Sequence, residues 1–166
     1  MIVAILFSVG LAVGVWGEEA PQSSTPASDS TSPVTVGEME AVTVVSGDEA
    51  TVSVPVRVAD GHRVQANPAS NEYLVPLQLD IEELDGLEFG EPIYPRGEPY
   101  LLEGDDEFLV TYVGEFEVVV RVAAANDAAP GEYRARGELK FQACNSRMCL
   151  FPSSVPVELL LVVAAP

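Results

Sequence analysis

The chain is short of almost everything that common catalytic sites are built from. It holds one histidine and two cysteines, with only eight lysines and arginines against 26 acids. A Ser-His-Asp site would have to be built on His62, and no nucleophile-elbow motif accompanies it. In Asp60-Gly61-His62-Arg63 that histidine reads as a turn or strand-end residue. A soft ion such as Cu(I) could in principle use Cys144, Cys149, Met148 and His62. The spacing of the cysteines is not that of a zinc-type Cys-x-x-Cys pair, however, and no second pair completes a site. No metal and no cofactor is therefore expected. The net charge of −18 argues against nucleic acid or anionic lipid as partners. Its plain reading is solubility, and its functional reading is attraction to a basic partner surface. Acidic clusters such as Glu82-Glu83 and Asp105-Asp106-Glu107 read as solvated loop charges.

Helical periodicity is also missing: no segment of it runs longer than a turn or two. A thioredoxin-like fold needs βαβ units and a Cys-x-x-Cys at a helix start, so that class is excluded. No Lys or Arg precedes the apolar run Ile2–Trp16, which is too short for a comfortable bilayer span. With Gly14 and Gly17 followed by Glu18 and Glu19, residues 1–17 have the layout of a signal peptide; an uncleaved anchor is the alternative. The chain is expected to touch a membrane only in that second case. An exported chain would let two cysteines persist as a disulfide. Residues 18–37 carry Pro21, Pro26 and Pro33 among serines and threonines, with almost no large apolar residue, and read as a disordered linker.

What is present from there on is β-structure, and residues 38–166 read as one domain. Val52, Val54, Val56 and Val58 alternate with Thr51, Ser53, Pro55 and Arg57, and Phe116, Val118, Val120 and Val122 repeat the pattern. Pro55 cannot donate to a ladder and suggests an edge or a bulge. Ala41–Val45, Tyr73–Ile81, Phe108–Val113, Tyr133–Phe141 and Val155–Val163 read as further strands, and Gly86–Asp106 as a long loop holding Tyr94 and Tyr100. Short strands punctuated by Gly, Pro, Asn and Asp predict an all-β, immunoglobulin-like antiparallel sandwich.

The cysteines lie between the last two of those strands, in Phe141-Gln142-Ala143-Cys144-Asn145-Ser146-Arg147-Met148-Cys149-Leu150-Phe151-Pro152. Asn145 and Ser146 are turn formers, which lets Cys144 and Cys149 face each other across the neck of a hairpin. Facing positions bring Cα atoms to ~4.5–5.5 Å, within the usual disulfide range of about 4.4–6.8 Å. Such a short loop yields only about 2 kcal/mol of chain-entropy stabilisation. Hairpin placement is also expected to leave the sulfurs near the surface. A labile exchange pair and a modest structural staple both remain open on this reading.

A wider set of residues carries a resemblance. In order these are Gly61-His62, Ala66-Asn67-Pro68, Glu72-Tyr73-Leu74-Val75-Pro76, Tyr94-Pro95, Ala129-Pro130-Gly131 and Phe141-Gln142-Ala143-Cys144-Asn145-Ser146-Arg147-Met148-Cys149 with Pro152. From Met39 to Val163 the chain resembles the N-terminal periplasmic domain of the thiol:disulfide interchange protein DsbD family. The resemblance implies an immunoglobulin-like domain whose Cys144/Cys149 pair cycles between dithiol and disulfide and passes reducing equivalents to other envelope proteins. It implies thioredoxin-like envelope proteins as electron donor and acceptors. Cys149 would form the mixed disulfides and Cys144 would resolve them. Tyr94 becomes the candidate for an aromatic cap over the pair, and Arg147 a candidate for favouring the thiolate. The sequence holds no multi-span membrane domain and no thioredoxin domain, so a separate protein would recharge the pair. The contrasting expectation is a non-catalytic immunoglobulin-like binding module with a structural disulfide.

Overall fold

Valine at every second position from Val52 to Val58 builds the first long strand, because alternate side chains share one face of a pleated sheet. All four of these valines are buried, while Thr51, Ser53 and Arg57 are exposed. The computed structural model describes residues 32–166. In chain order the strands are β1 (Val34–Val36), β2 (Val42–Val45), β3 (Glu49–Val58), β4 (Arg63–Gln65), β5 (Gln78–Ile81) and β6 (Leu87–Phe89). They continue with β7 (Glu98–Leu101), β8 (Phe108–Tyr112), β9 (Glu115–Ala124), β10 (Gly131–Phe141), β11 (Ala143–Cys144) and β12 (Ser153–Ala164). No helix occurs among the described residues, so none there could cross a membrane. The class is all-β and immunoglobulin-like.

Two four-stranded sheets make the sandwich, in the orders β1-β3-β9-β6 and β2-β12-β10-β5. In the first, Val52 lies opposite Val120 and Val54 opposite Val118, so the inward face is a ladder of β-branched pairs. In the second, Ala135 faces Leu159 and Leu139 faces Val155. Leu139, Leu159 and Leu161 are buried in the same core cluster as the valines of β3 and β9. Among the described residues every ladder is antiparallel except β2–β12, where Leu161–Ala164 run parallel to Val42–Val45. Pro55 sits just past the last residue of β1: Val36 pairs Val56, and the Pro55 carbonyl accepts from Gly37 N–H at 2.8 Å. Its missing donor therefore faces a place where the neighbouring strand has already ended.

A third sheet, ordered β11-β4-β8-β7, carries the cysteines. It grows from both layers: β4 follows β3 through the Ala59–His62 turn, and β11 follows β10 after a single residue. Chain continuity alone thus places Cys144 where β3 and β10 finish.

Three sequence expectations need correction. The linker expected to reach Gly37 stops short of it, because Val34–Val36 forms β1 against Val56–Val58 and Val34 is fully buried. The remainder of that linker, and the signal peptide or anchor, lie outside the described residues. The expected strand Tyr73–Ile81 shrinks to β5. The Asn71 side chain accepts the Tyr73 N–H at 3.0 Å, which folds a turn there and leaves Tyr73 exposed. The expected loop Gly86–Asp106 contains β6 and β7, which pair with β9 and β8.

Gly137 is the tightest point between β5 and β10. A Cβ there would lie 2.5 Å from the Asp80 carbonyl oxygen and 3.3 Å from Ile81 Cα, both backbone atoms that cannot swing aside. Gly137→Ala is expected to cost about 1–3 kcal/mol through overpacking, read as a lower urea midpoint at unchanged slope. An unchanged midpoint would show that β5 moves freely at this position. The nearby Lys140–Asp80 ion pair, at 2.8 Å, spans the same two strands but is exposed on both sides, and such pairs add little.

Candidate functional site

The site is a hairpin closed by a bond. Ala143 and Cys144 pair with Val64 and Arg63 of β4, and Cys144 forms a bridge with Cys149. Leu150 N–H donates to the Ala143 carbonyl at 2.7 Å, and Asn145 N–H to the Met148 carbonyl at 3.0 Å. The turn between is held by one side chain: Asn145 Oδ1 accepts the N–H groups of Arg147 and Met148, each at 2.9 Å. Asparagine suits this position because its short carbonyl reaches its own backbone two residues on. Within that frame Cys144 and Cys149 are disulfide-bonded, S–S 2.05 Å, with Cα atoms 3.8 Å apart. The Cα atoms are closer than the ~4.5–5.5 Å expected from strand spacing alone.

The two sulfurs do not share one environment. Cys144 is fully buried, whereas Cys149 is half-buried beside exposed Met148, 58 %, and Phe151, 93 %. The expectation that hairpin placement leaves both near the surface therefore holds for Cys149 alone. Cys144 lies in β11, whose two residues are both buried and pair with β4, so it is part of a sheet and not a free hairpin tip.

Two glutamines organise the pair. Gln142 uses its whole amide: Oε1 accepts Val75 N–H at 2.9 Å and Nε2 donates to the Leu150 carbonyl at 3.1 Å. This clamps the exit of the hairpin to the segment before β5. Gln65, in β4, is fully buried, and its Nε2 lies 3.1 Å from Cys144 Sγ and 3.6 Å from Cys149 Sγ. Among the described residues its Oε1 has no hydrogen-bond partner. A buried acceptor left unmet costs about 1–3 kcal/mol, and such groups in native folds call for an explanation. The backbone of Gln65 is satisfied, donating to Gln142 O at 3.0 Å and accepting from Leu77 N–H at 3.1 Å.

Sequence reasoning missed Gln65. Its signal lay in Arg63-Val64-Gln65-Ala66, where both Val64 and its neighbour Gln65 are buried although strand alternation should expose one of them. A polar residue on a strand covered from both sides is the feature that could have drawn attention.

Among the described residues, the other anticipated side chains make no hydrogen bond to the sulfurs. Tyr94 does not cap them: its hydroxyl accepts Leu79 N–H in β5 at 2.9 Å, and its ring packs against the core. Burial raises its phenol above the ordinary value, as it does for Tyr112. The segment that does reach the cysteine hairpin is the β7–β8 connection, where Glu103 N–H donates to Ser146 O at 3.2 Å. Tyr100, at the start of that hairpin, lies under the Arg63 guanidinium at 4.0 Å, and Arg63 is the cross-strand partner of Cys144. Arg147 is on the hairpin but exposed, and it makes no ion pair among the described residues. His62 stays in its turn, Nδ1 3.3 Å from the Asp60 carbonyl.

Fold and site together define an immunoglobulin-like sandwich with a disulfide-closed hairpin of one buried and one half-buried cysteine. No protein-family model matches the chain, and no curated protein does. Among solved structures it is similar to the N-terminal periplasmic domain of ScsB from Proteus mirabilis, with 13 % identity and TM-score 0.48. That likeness covers 76 % of this chain and 44 % of the ScsB structure, less than half its length. It is also similar to AggA, the major subunit of aggregative adherence fimbriae type I from Escherichia coli, with 16 % identity, TM-score 0.38, and 80 % and 95 % of the two chains covered. The periplasmic chaperone SfaE follows at 15 % identity and TM-score 0.36, with 80 % and 60 % covered. Likenesses at this level assign neither a family nor an activity to the chain.

Proposed function

We propose that this is an exported thiol–disulfide exchange domain, passing reducing equivalents through the Cys144/Cys149 pair to thioredoxin-like envelope proteins. The observation that carries the reading is the asymmetry of the pair. Exchange needs one sulfur that a partner thiolate can approach in line and a second that is held in place to resolve the intermediate. Cys149, half-buried among exposed Met148 and Phe151, fits the first role, and buried Cys144 fits the second. The short hairpin also suits cycling, because the strands and the Asn145 turn hold it together by hydrogen bonds that do not need the S–S bond.

The mechanism is a pair of balanced displacements. A donor thiolate attacks Cys149 Sγ, forming a mixed disulfide and releasing Cys144 as thiolate, which takes a proton. A second donor thiol completes the reduction, leaving the pair as a dithiol and the donor as a disulfide. The reduced pair then runs the reaction in reverse on an oxidised acceptor: Cys149 attacks, and Cys144 displaces the acceptor's thiol. Two electrons and two protons move per cycle, and no cofactor enters.

The deciding measurement is the reduction potential of the pair by equilibration of the purified chain in glutathione buffers. The expected value lies between about −180 and −270 mV, the range of proteins that exchange. A value below about −300 mV belongs to structural disulfides and would leave the binding module in its place.

A further inference from the structure

A buried resolving cysteine poses a physical difficulty. To displace an acceptor it must act as a thiolate, and burial disfavours that charge. The usual remedies are a cation, a histidine or a helix N-terminus, and among the described residues none of these is hydrogen-bonded to Cys144 Sγ. Arg63, its cross-strand partner, places its guanidinium over Tyr100, and Arg147 is exposed on the loop. Among the described residues, the side chain that donates to the sulfurs is Gln65, 3.1 Å from Cys144 and 3.6 Å from Cys149.

We infer that Gln65 is the group that stabilises the Cys144 thiolate when it resolves a mixed disulfide on Cys149. This rests on the exchange reading above and assigns within it a residue that the sequence did not mark. An N–H donor gains most when its acceptor becomes charged, so the contact to a neutral disulfide sulfur in the oxidised protein is the weaker form of the one used during turnover. The orphaned Oε1 fits the same role. When Cys144 is a protonated thiol it brings a new S–H donor to this spot, and a half-turn of the Gln65 amide exchanges Nε2 for Oε1. One buried amide can thus meet a thiolate with its nitrogen and a thiol with its oxygen. Gln142 cannot substitute, since both of its amide atoms are committed to Val75 and Leu150.

The step is as follows. With glutathione disulfide as oxidant, Cys149 thiolate attacks one sulfur, giving the Cys149–glutathione mixed disulfide and one glutathione thiolate. Cys144 gives its proton to solvent, attacks Cys149 Sγ, and expels the second glutathione thiolate. The Cys144–Cys149 bond forms as the Cys149–glutathione bond breaks. Two electrons have passed to glutathione.

The test follows that mixed disulfide by acid quenching and mass spectrometry, across pH, in the wild type and in Gln65→Met, which keeps length and volume but removes the amide. Formation of the adduct at Cys149 should change less than its resolution, because Nε2 lies farther from Cys149 Sγ, 3.6 Å, than from Cys144 Sγ, 3.1 Å. Its resolution should slow about tenfold at neutral pH, with the midpoint of the pH–rate profile moved up by about one unit, as for loss of a charge-assisted hydrogen bond. Superimposable pH profiles would overturn the inference while leaving the exchange reading intact. A wild-type adduct that forms but never resolves would overturn the exchange reading and take this inference with it. If Gln65→Met does not fold, the reduced wild type supplies the measurement. The Gln65 side-chain amide resonances should shift with pH along the same curve as the resolution rate, and amide resonances that ignore pH would sink the assignment.

Discussion

Cys144→Ala is expected to accumulate mixed disulfides that Cys149→Ala does not. In the first variant the remaining sulfur is the half-buried one beside Met148 and Phe151, and no second thiol is left to expel the adduct. In the second, the remaining cysteine is fully buried, so a bulky disulfide cannot approach its sulfur in line. The difference in adduct yield should be at least about tenfold, since exchange rates depend directly on access to the attacking sulfur. Glutathione disulfide read by mass spectrometry is the simplest probe, and non-reducing gels of envelope extract extend it to proteins. Equal yields from the two variants would mean that the hairpin opens on the timescale of the reaction and that the burial difference selects nothing. The opposite order would exchange the roles of the two cysteines.

That asymmetry is also where sequence and structure part company. The strand pattern was open to inspection because it follows from period-two alternation. Val52 to Val58 and Val118 to Val122 bury the residues that the alternation assigns inward, and Phe116 is partly buried against the same core. The cysteine hairpin was legible too, since Asn145 is a turn former on any reading and the flanking strands are long. What could not be read is what lies above and beside the hairpin. Cys144 is buried because Ala143-Cys144 adds to β4, a contact between residues about eighty positions apart that no local pattern encodes. Gln65 reaches the sulfurs for the same reason. The resemblance alone makes Tyr94, in the expected loop Gly86–Asp106, the candidate for an aromatic cap. The loop, however, contains β6 and β7, and the pairing of β7 with β8 brings Tyr100 rather than Tyr94 to the cysteine strand. The tertiary pairing of short strands, which carry weak signals, decided the site's surroundings.

A domain that cycles its disulfide must keep its fold in both states, and this sets the second large expectation. Removing the bond, by reduction or by Cys144→Ala with Cys149→Ala, should cost only about 2 kcal/mol, the chain-entropy value for a loop of about six residues. The hairpin's backbone bonds and the Gln142 clamp persist without it. Phe141→Ala should cost more, about 3–5 kcal/mol. Phe141 is 1 % exposed and is the largest fully buried side chain, at the end of β10 one residue before the cysteine strand. Its loss opens a cavity directly under the junction of β10 and β11, where the stiff sandwich cannot collapse to fill it. In a thermal melt the substitution should lower the midpoint by roughly 10–20 °C, and the double cysteine variant by about half as much. The ordering is what matters. If reduction destabilises the chain as much as Phe141→Ala does, the bond is a staple that the fold depends on. A pair so needed for stability could not be opened at each turnover, and the exchange reading would fail on energetic grounds.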